Sequence, residues 1–376
     1  MSNSFLEVKE IARQALPRLI ENLVFPNLIY KDYSSTYEVG KGATIQVRKP
    51  VVLTASEFNE GSGVSAQDVK ETSVEVTLDK LATVDVEFGA IARATSVDDL
   101  NRLFIDPAAA AIAEKINGDG LSLYKDIPYY CGTAGTTPDG LDDFANAAKV
   151  LDNNKVPMDK RHGIWNADAM AAFRQIGAIV NANKSGSTEA LRRGSIGDIF
   201  GIDHYMSQGV KTHSGGSLTA GGTGASGVKV EADVSANQTI SLISNASASG
   251  TLTGTVKAGD LVKIGNDYYV CILDATAASN KVSVKLNKAV TVSANAAVTV
   301  IGSGVQNLVF HENAFAFVTR PLMAPAGVES YTTSYNGISL RVTRGYNMQY
   351  KKEMLSMDVL YGYKTMYPEL AVRVLG

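Results

Sequence analysis

The sequence predicts an α+β protein that carries a small all-β module inserted into its second half. Three observations predict it. Amphipathic and alanine-rich helical runs occupy the first half, runs of period two recur throughout, and composition changes sharply near residue 213 and changes back near residue 305. A chain of 376 residues suggests two or three domains of ordinary size. With 45% hydrophobic and 19% charged residues it can bury a sizeable core, and 34 glycines imply many turns.

Residues 4–25 read as an amphipathic helix, with Ser4 and Glu7 as a capping box and Val8, Ala12, Ala15, Leu19 and Leu23 at helical spacing. Pro17 is expected to kink this helix or split it, and its apolar stripe needs a partner from this subunit or a neighbour. Residues 37–90 read as a long β-excursion. Ile45 and Val47, then Val74, Val76 and Leu78, then Val84, Val86 and Phe88 alternate with polar residues, around the polar tip TASEFNEGSGVSAQD at 54–68. Residues 96–126 read as helical: Ser96 and Asp99 offer one start, and Asp106-Pro107 offers another before an alanine run. Gly118 and Gly120 are expected to weaken the later part of that helix.

A Pro/Gly/Thr loop at 128–140 precedes a helix at 141–152, in which Asp142 and Asp143 read as first-turn acids. Residues 164–177 read as a strand end running into a helix capped by Asn166, and 194–207 as turn and strand. Residues 214–304 are rich in Gly, Ala, Ser, Thr and Val, with Tyr268 and Tyr269 as their only aromatics. The runs LVKIG, YYVCIL, KVSVKL and AVTVI, separated by turn residues, mark a small all-β module. The earlier style resumes at QNLVFHENAFAFVTRPL, so the module reads as an insertion. In 328–376, Asn336-Gly337 between alternating runs signals a hairpin, and ELAVRVL (369–375) reads as a last strand. Seven of the 16 tyrosines fall there, suited equally to interfaces and to sheet packing.

A net charge of −3 gives no electrostatic footprint for tight nucleic-acid binding. Cys131 and Cys271 cannot make a metal cage and read as two buried thiols, a usage that fits a reducing cytoplasm. The first residues lack the pattern of a signal peptide, and no apolar run of ~20 residues predicts a membrane span. His162, His204, His213 and His311 have no ligand spacing, and no phosphate-loop, dinucleotide, zinc-protease, nucleophile-elbow or calcium-loop motif occurs. Arg192-Arg193-Gly194-Ser195 reads as a solvated basic loop. No cofactor, metal or catalytic residue is therefore expected.

The order of segments resembles the major capsid fold of tailed phages, the HK-97 type, and the all-β insertion makes it similar to the phage P-22 coat protein family. The stretches that carry the resemblance are FIDPAAAAIAEKI, LDNNKVPMDKRHGIWNADAMAAF, GSIGDIFGIDHYMS, KAGDLVKIGNDYYV, NLVFHENAFAFVTRPLMAPAG and GISLRVTRGYN. It covers nearly the whole chain and rests on order and spacing. One departure is Asn347, where coats of the family show Asp after Gly-Tyr.

The resemblance implies an N-terminal arm at 1–36, an E-loop at 37–95 and a spine helix region at 96–127. It implies an A-domain at 128–213 and 305–327 around an inserted domain at 214–304, and a P-domain end at 328–376. It implies a non-enzymatic coat protein of a virion capsid, assembled in the bacterial cytoplasm as hexamers and pentamers. A scaffolding protein and a portal protein are the implied partners, and double-stranded DNA is packaged without sequence-specific binding. The N-arm would pack under or beside another subunit. The acidic tip residues Glu57, Glu60 and Asp68 are expected to meet Arg341, Arg344, Lys351 or Lys352 of a neighbour. Two other readings stay open: an encapsulin-like nanocompartment shell of the same fold, and an α/β enzyme with a β accessory domain, which would need a pocket with paired titratable groups of shifted pKa.

Overall fold

The computed structural model describes residues 8–31, 44–49, 72–89, 105–181, 192–223, 227–245, 248–348 and 352–376. They fall into two compact units. The first holds residues 8–26, 30–115 and 315–366, as far as these are described, and the second 27–29, 116–314 and 367–376.

In the first unit, helix α1 (Val8–Asn22) buries Val8, Ile11, Ala12, Ala15, Leu16 and Leu19. It lies against strands β21 (Glu329–Tyr335) and β22 (Ile338–Asn347) of its own chain, so this subunit supplies the partner that the apolar stripe requires. The helix is not split. Pro17 sits on its exposed face, where a carbonyl freed by the missing N–H can bond to water. Burying four large aliphatic side chains at ~1.5–3 kcal/mol each outweighs the ~3 kcal/mol that an interior proline costs.

The β-excursion is in part as expected. Strands β1 (Thr44–Lys49) and β2 (Thr72–Thr77) pair antiparallel from Thr44↔Thr77 to Lys49↔Thr72, and the tip between them lies outside the described residues. The run at 80–89 does not belong to that hairpin. As β3 (Lys80–Gly89) it pairs at ten positions with β23 (Lys352–Thr365). The 14-residue β23 carries β3 along one edge, and on the other β22 followed by β20 (Phe315–Arg320). Asn336 and Gly337 take φ of 51° and 73°, the two left-handed positions of a two-residue hairpin turn between β21 and β22. Phe25, Phe315, Phe317, Tyr361 and Tyr363 stack inside this unit at centroid distances of 4.8–6.2 Å. Tyr361 and Tyr363 are therefore core residues, while Tyr335 and Tyr346 are exposed.

Helix α2 (Asp106–Leu121) begins at Asp106 and passes through Gly118 and Gly120 without a break. A Cβ on Gly118 would lie 3.0 Å from Lys211 Nζ, and one on Gly209 would lie 3.4 Å from Gly118 N. The glycine thus serves close approach of the 207–211 loop. Ser96 and Asp99 lie outside the described residues.

The second unit is built on a sheet ordered β4 (Tyr130–Gly132), β24 (Ala371–Leu375), β19 (Gly304–His311), β5 (Arg161–Trp165), β7 (Ile202–Met206), β6 (Asp198–Ile199), with β8 (Thr212–His213) pairing the start of β19. Helices α3 (Leu141–Asn153) and α4 (Ala167–Phe173) cover one core of it, around Phe144, Leu151, Trp165, Phe173, Val309 and Val372. Both helix starts follow local chemistry. Asp143 Oδ2 accepts from Gly140 N at 3.1 Å and Asp139 N at 3.0 Å, and Asn166 Oδ1 accepts from Ala169 N at 3.1 Å. A short helix, α5 (Gly177–Val180), follows.

Between β8 and β19 stands the inserted module. Its main sheet runs β15 (Asp267–Val270), β14 (Leu261–Ile264), β18 (Ala297–Ile301), β10 (Val228–Val230), β11 (Val234–Ser244), β17 (Lys281–Val292). The outer strands are joined by the Cys271↔Leu286 bridge and by Ile272 N donating to Lys285 O at 2.9 Å, so the sheet closes into a small barrel. Alternation explains the closure. Val282, Val284 and Leu286 point inward with Ile240, Leu242 and Val262, while Lys281, Ser283 and Lys285 face out. Two small pairs, β9 (Thr219–Thr223) with β12 (Ala248–Thr253) and β13 (Thr255–Val256) with β16 (Ala275–Thr276), complete the module.

Candidate functional site

The expected contact surface divides. Glu57, Glu60, Asp68 and Lys351 lie outside the described residues. Arg341, Arg344 and Lys352 lie on β22 and β23, and each already has an acidic partner within the chain. Arg341 holds Asp358 Oδ2 through Nε at 3.0 Å and Nη2 at 2.6 Å, and donates to Met323 O from Nη1 at 3.0 Å. Arg344 pairs with Glu353 and lies 4.0 Å from Glu329. Lys352 Nζ reaches Glu87 Oε2 at 2.7 Å across β23 and β3, with both side chains nearly half exposed. The strand pairing dictates this ladder: Tyr346↔Glu353 and Lys352↔Gly89 bring opposite charges to neighbouring or diagonal positions. Of the three, Lys352 is the one whose partner is held weakly enough to exchange, because an exposed pair contributes only ~0–1 kcal/mol.

A second cluster was not visible in the sequence. Tyr124, in the turn after α2, is hydrogen bonded to His213 Nδ1 on β8 at 2.8 Å, and His213 Nε2 lies 2.8 Å from Asp260 Oδ1 in the barrel. The carboxylate can only accept, so Nε2 carries a proton and donates it to Asp260 Oδ1. Asp260 Oδ2 accepts from Lys257 N at 2.7 Å and Gly216 N at 3.0 Å. Arg373 on β24 completes the group: Nη1 donates to Gly259 O at 2.8 Å, and the guanidinium lies 5.2 Å from the Tyr124 ring centroid. Burial pushes the Arg373 guanidinium down to about 9 and the Tyr124 phenol up. The series hydroxyl, imidazole, carboxylate has the order of a nucleophile, base and orienting acid. It is sealed, however: Tyr124, His213, Asp260 and Arg373 are 3%, 4%, 0% and 1% exposed. The arrangement joins segments and leaves no approach for a substrate.

The other histidines are also structural. His204 Nδ1 accepts from Trp165 Nε1 at 2.9 Å, and burial lowers its pKa to about 4. His162 and His311 are likewise lowered by burial. Cys271 is buried and Cys131 half-buried, and burial raises the two thiols to about 11 and about 12. Among the described residues no group of three His, Cys, Asp or Glu could hold a metal ion, and no helix is long and apolar enough to cross a membrane.

The fold is shared with a solved chain from Mycobacterium phage Che8, which is 17% identical over 94% of this chain and 90% of that one, at a TM-score of 0.54. The capsid structure of the cyanophage P-SCSP1u (13% identity, 90% and 84% covered, TM-score 0.49) and the capsid of Ralstonia phage GP4 (9%, 92% and 86%, 0.48) are more remote. No protein-family model and no curated protein matches the chain. The chain has the HK-97-type α+β fold, on the strength of the first of these similarities. Within that fold it carries a closed β-barrel between β8 and β19.

Proposed function

We propose that the chain is the major capsid protein of a tailed bacteriophage, of the type that resembles the P-22 coat family. The observation that carries this reading is the HK-97-type fold shared with the phage chain, together with a closed barrel in the second half of the sequence. Copies of the chain associate as hexamers and pentamers into an icosahedral shell. A scaffolding protein guides assembly, a portal occupies one vertex, and double-stranded DNA is enclosed without sequence-specific contacts. A net charge of −3 suits containment of DNA without gripping it.

The acidic tip residues Glu57, Glu60 and Asp68 are proposed to contact the basic strand of a neighbour. Because Arg341 and Arg344 are engaged internally, Lys352 is the partner that such a contact would recruit first.

Expression of the full chain, alone and with a proposed scaffolding partner, tests the reading by size-exclusion chromatography and electron microscopy. Closed shells or free capsomers are expected. A stable small oligomer under both conditions would remove the coat reading. Shells that close around a co-purifying enzyme rather than DNA would favour the nanocompartment.

A further inference from the structure

The inserted barrel joins the sheet of the second unit through two short crossings, residues 214–218 outward and 302–304 on return. Both are built on glycine. A Cβ on Gly215 would lie 2.2 Å from Gly302 Cα, and one on Gly216 would lie 2.0 Å from Thr255 O. Gly304, with φ of 152°, opens the return strand. The crossings therefore touch backbone to backbone and form a narrow neck, tied across by one side-chain hydrogen bond from Gly215 N to Ser303 Oγ at 3.2 Å.

The barrel and the sheet also have separate cores, one around Ile240, Leu242, Val284 and Leu286, the other around Phe144, Trp165 and Phe173. Between them lies a small apolar seam in which Leu261, Val270 and Ile301 of the barrel meet Leu375, Tyr130 and Ala134. Tyr130 and Tyr268 add an edge-to-face contact at 5.3 Å. A hinge of glycine and a seam of this size would not by themselves hold the barrel in one position.

We propose that Tyr124, His213, Asp260 and Arg373 form a buried latch that fixes the docked position of the inserted barrel over its glycine neck, and that opening the latch frees the barrel to move while both cores stay folded. The sheet side supplies Tyr124, His213 and Arg373, and the barrel side supplies Asp260 and the carbonyl of Gly259. Asp260 is the keystone. One carboxylate oxygen holds the imidazole, and the other holds the backbone N–H of Gly216 in the neck and of Lys257 in the barrel. The Asp260 carboxylate and the Arg373 guanidinium both lie inside a site closed to water. Gly259 has φ of 102°, and a Cβ there would lie 3.0 Å from His213 Cε1 and from Lys125 Cγ, so the barrel loop can reach the imidazole only as glycine. The inference concerns the chain by itself and holds whether or not the shell reading does.

Hydrogen–deuterium exchange of the full chain tests it, comparing wild type with Asp260→Asn and Tyr124→Phe. Asp260→Asn keeps the volume and removes the charge. Tyr124→Phe removes one oxygen and leaves the ring beside Arg373. Exchange at residues 208–218 and 300–306 is expected to rise about tenfold in Asp260→Asn and by a smaller factor in Tyr124→Phe, with β11 and β17 keeping their wild-type protection. Unchanged exchange at the neck in both variants would overturn the proposal. So would equal loss of protection at the neck and in β11 and β17, because the cluster would then hold the barrel's fold and not its position. If Asp260→Asn is insoluble, Tyr124→Phe decides on the same criteria.

Discussion

The indole N–H of Trp165 donates to Nδ1 of His204 at 2.9 Å, which fixes the imidazole as the neutral form with its proton on Nε2. Protonation of Nδ1 would remove the acceptor that the buried indole uses. Burial accordingly holds the His204 pKa at about 4 in the folded chain, against 6.5 for an ordinary histidine. Below that ordinary value the unfolded chain takes up a proton that the folded chain refuses, so stability is lost as pH falls from about 6.5 to about 4. The loss approaches about 3 kcal/mol for this group. Urea unfolding at a series of pH values should show the decline, and His204→Gln should flatten it. An unchanged slope in the variant would assign the acid sensitivity to other groups, with His162 and His311 next because burial lowers them too.

Arg341 and Asp358 form a two-nitrogen pair on adjacent strands, 19% and 6% exposed. Arg341→Ala would leave a buried carboxylate uncompensated and release the loop held through Met323 O, at a cost of about 3–5 kcal/mol. Arg341→Met combined with Asp358→Leu should recover most of that loss. A double-mutant cycle by chemical denaturation measures the coupling. Additive single effects would show that the pair contributes nothing beyond its separate residues.

Asn307 is fully buried on β19, where Oδ1 accepts from Asn166 N at 2.8 Å and Nδ2 donates to Val374 O at 3.3 Å. It ties the start of α4 to the last strand of the sheet. Asn307→Leu keeps the bulk and strands both backbone groups, so a loss of about 1–3 kcal/mol is expected in thermal or chemical unfolding.

Gly362 lies where β2 crosses β23. A Cβ there would sit 2.2 Å from Thr77 O, a backbone atom that cannot rotate aside. Gly362→Ala should destabilise the first unit by about 1–3 kcal/mol or more and leave the barrel's exchange protection intact. Exchange mapped over both units checks it.

Charge reversal at Glu57 and Glu60 together is expected to reduce shell yield, with partial rescue by Lys352→Glu. Normal shells from the Glu57 and Glu60 double variant, scored by electron microscopy, would remove the tip from the contact.

Local chemistry was legible in the sequence. The Asn336-Gly337 turn, the Asn166 cap, the Asp143 carboxylate at the start of α3 and the inward Val282, Val284 and Leu286 all follow from residues within a few positions of one another. Long-range allegiance was not. The run at 80–89 has the same alternation as β1 and β2, and nothing near it shows that it pairs with β23. The stripe of α1 demanded a partner without saying that β21 and β22 of the same chain supply it. The cluster at Tyr124, His213, Asp260 and Arg373 draws on four distant segments, so no spacing could reveal it. The internal partners of Arg341 and Arg344, Asp358 and Glu353, are set by strand register, which composition does not contain.

Strand β24 lies between β4 and β19, parallel to the first and antiparallel to the second. It is also the last strand of that sheet to leave the ribosome. Until it arrives, β4 has no neighbour and β19 has an open edge, although the barrel between β8 and β19 already has all of its strands. Until then the emerging chain presents a finished barrel beside a sheet that lacks the strand next to its β4 edge. Arrival of β24 is thus the step that closes the sheet, and it comes after every strand of the barrel is in hand.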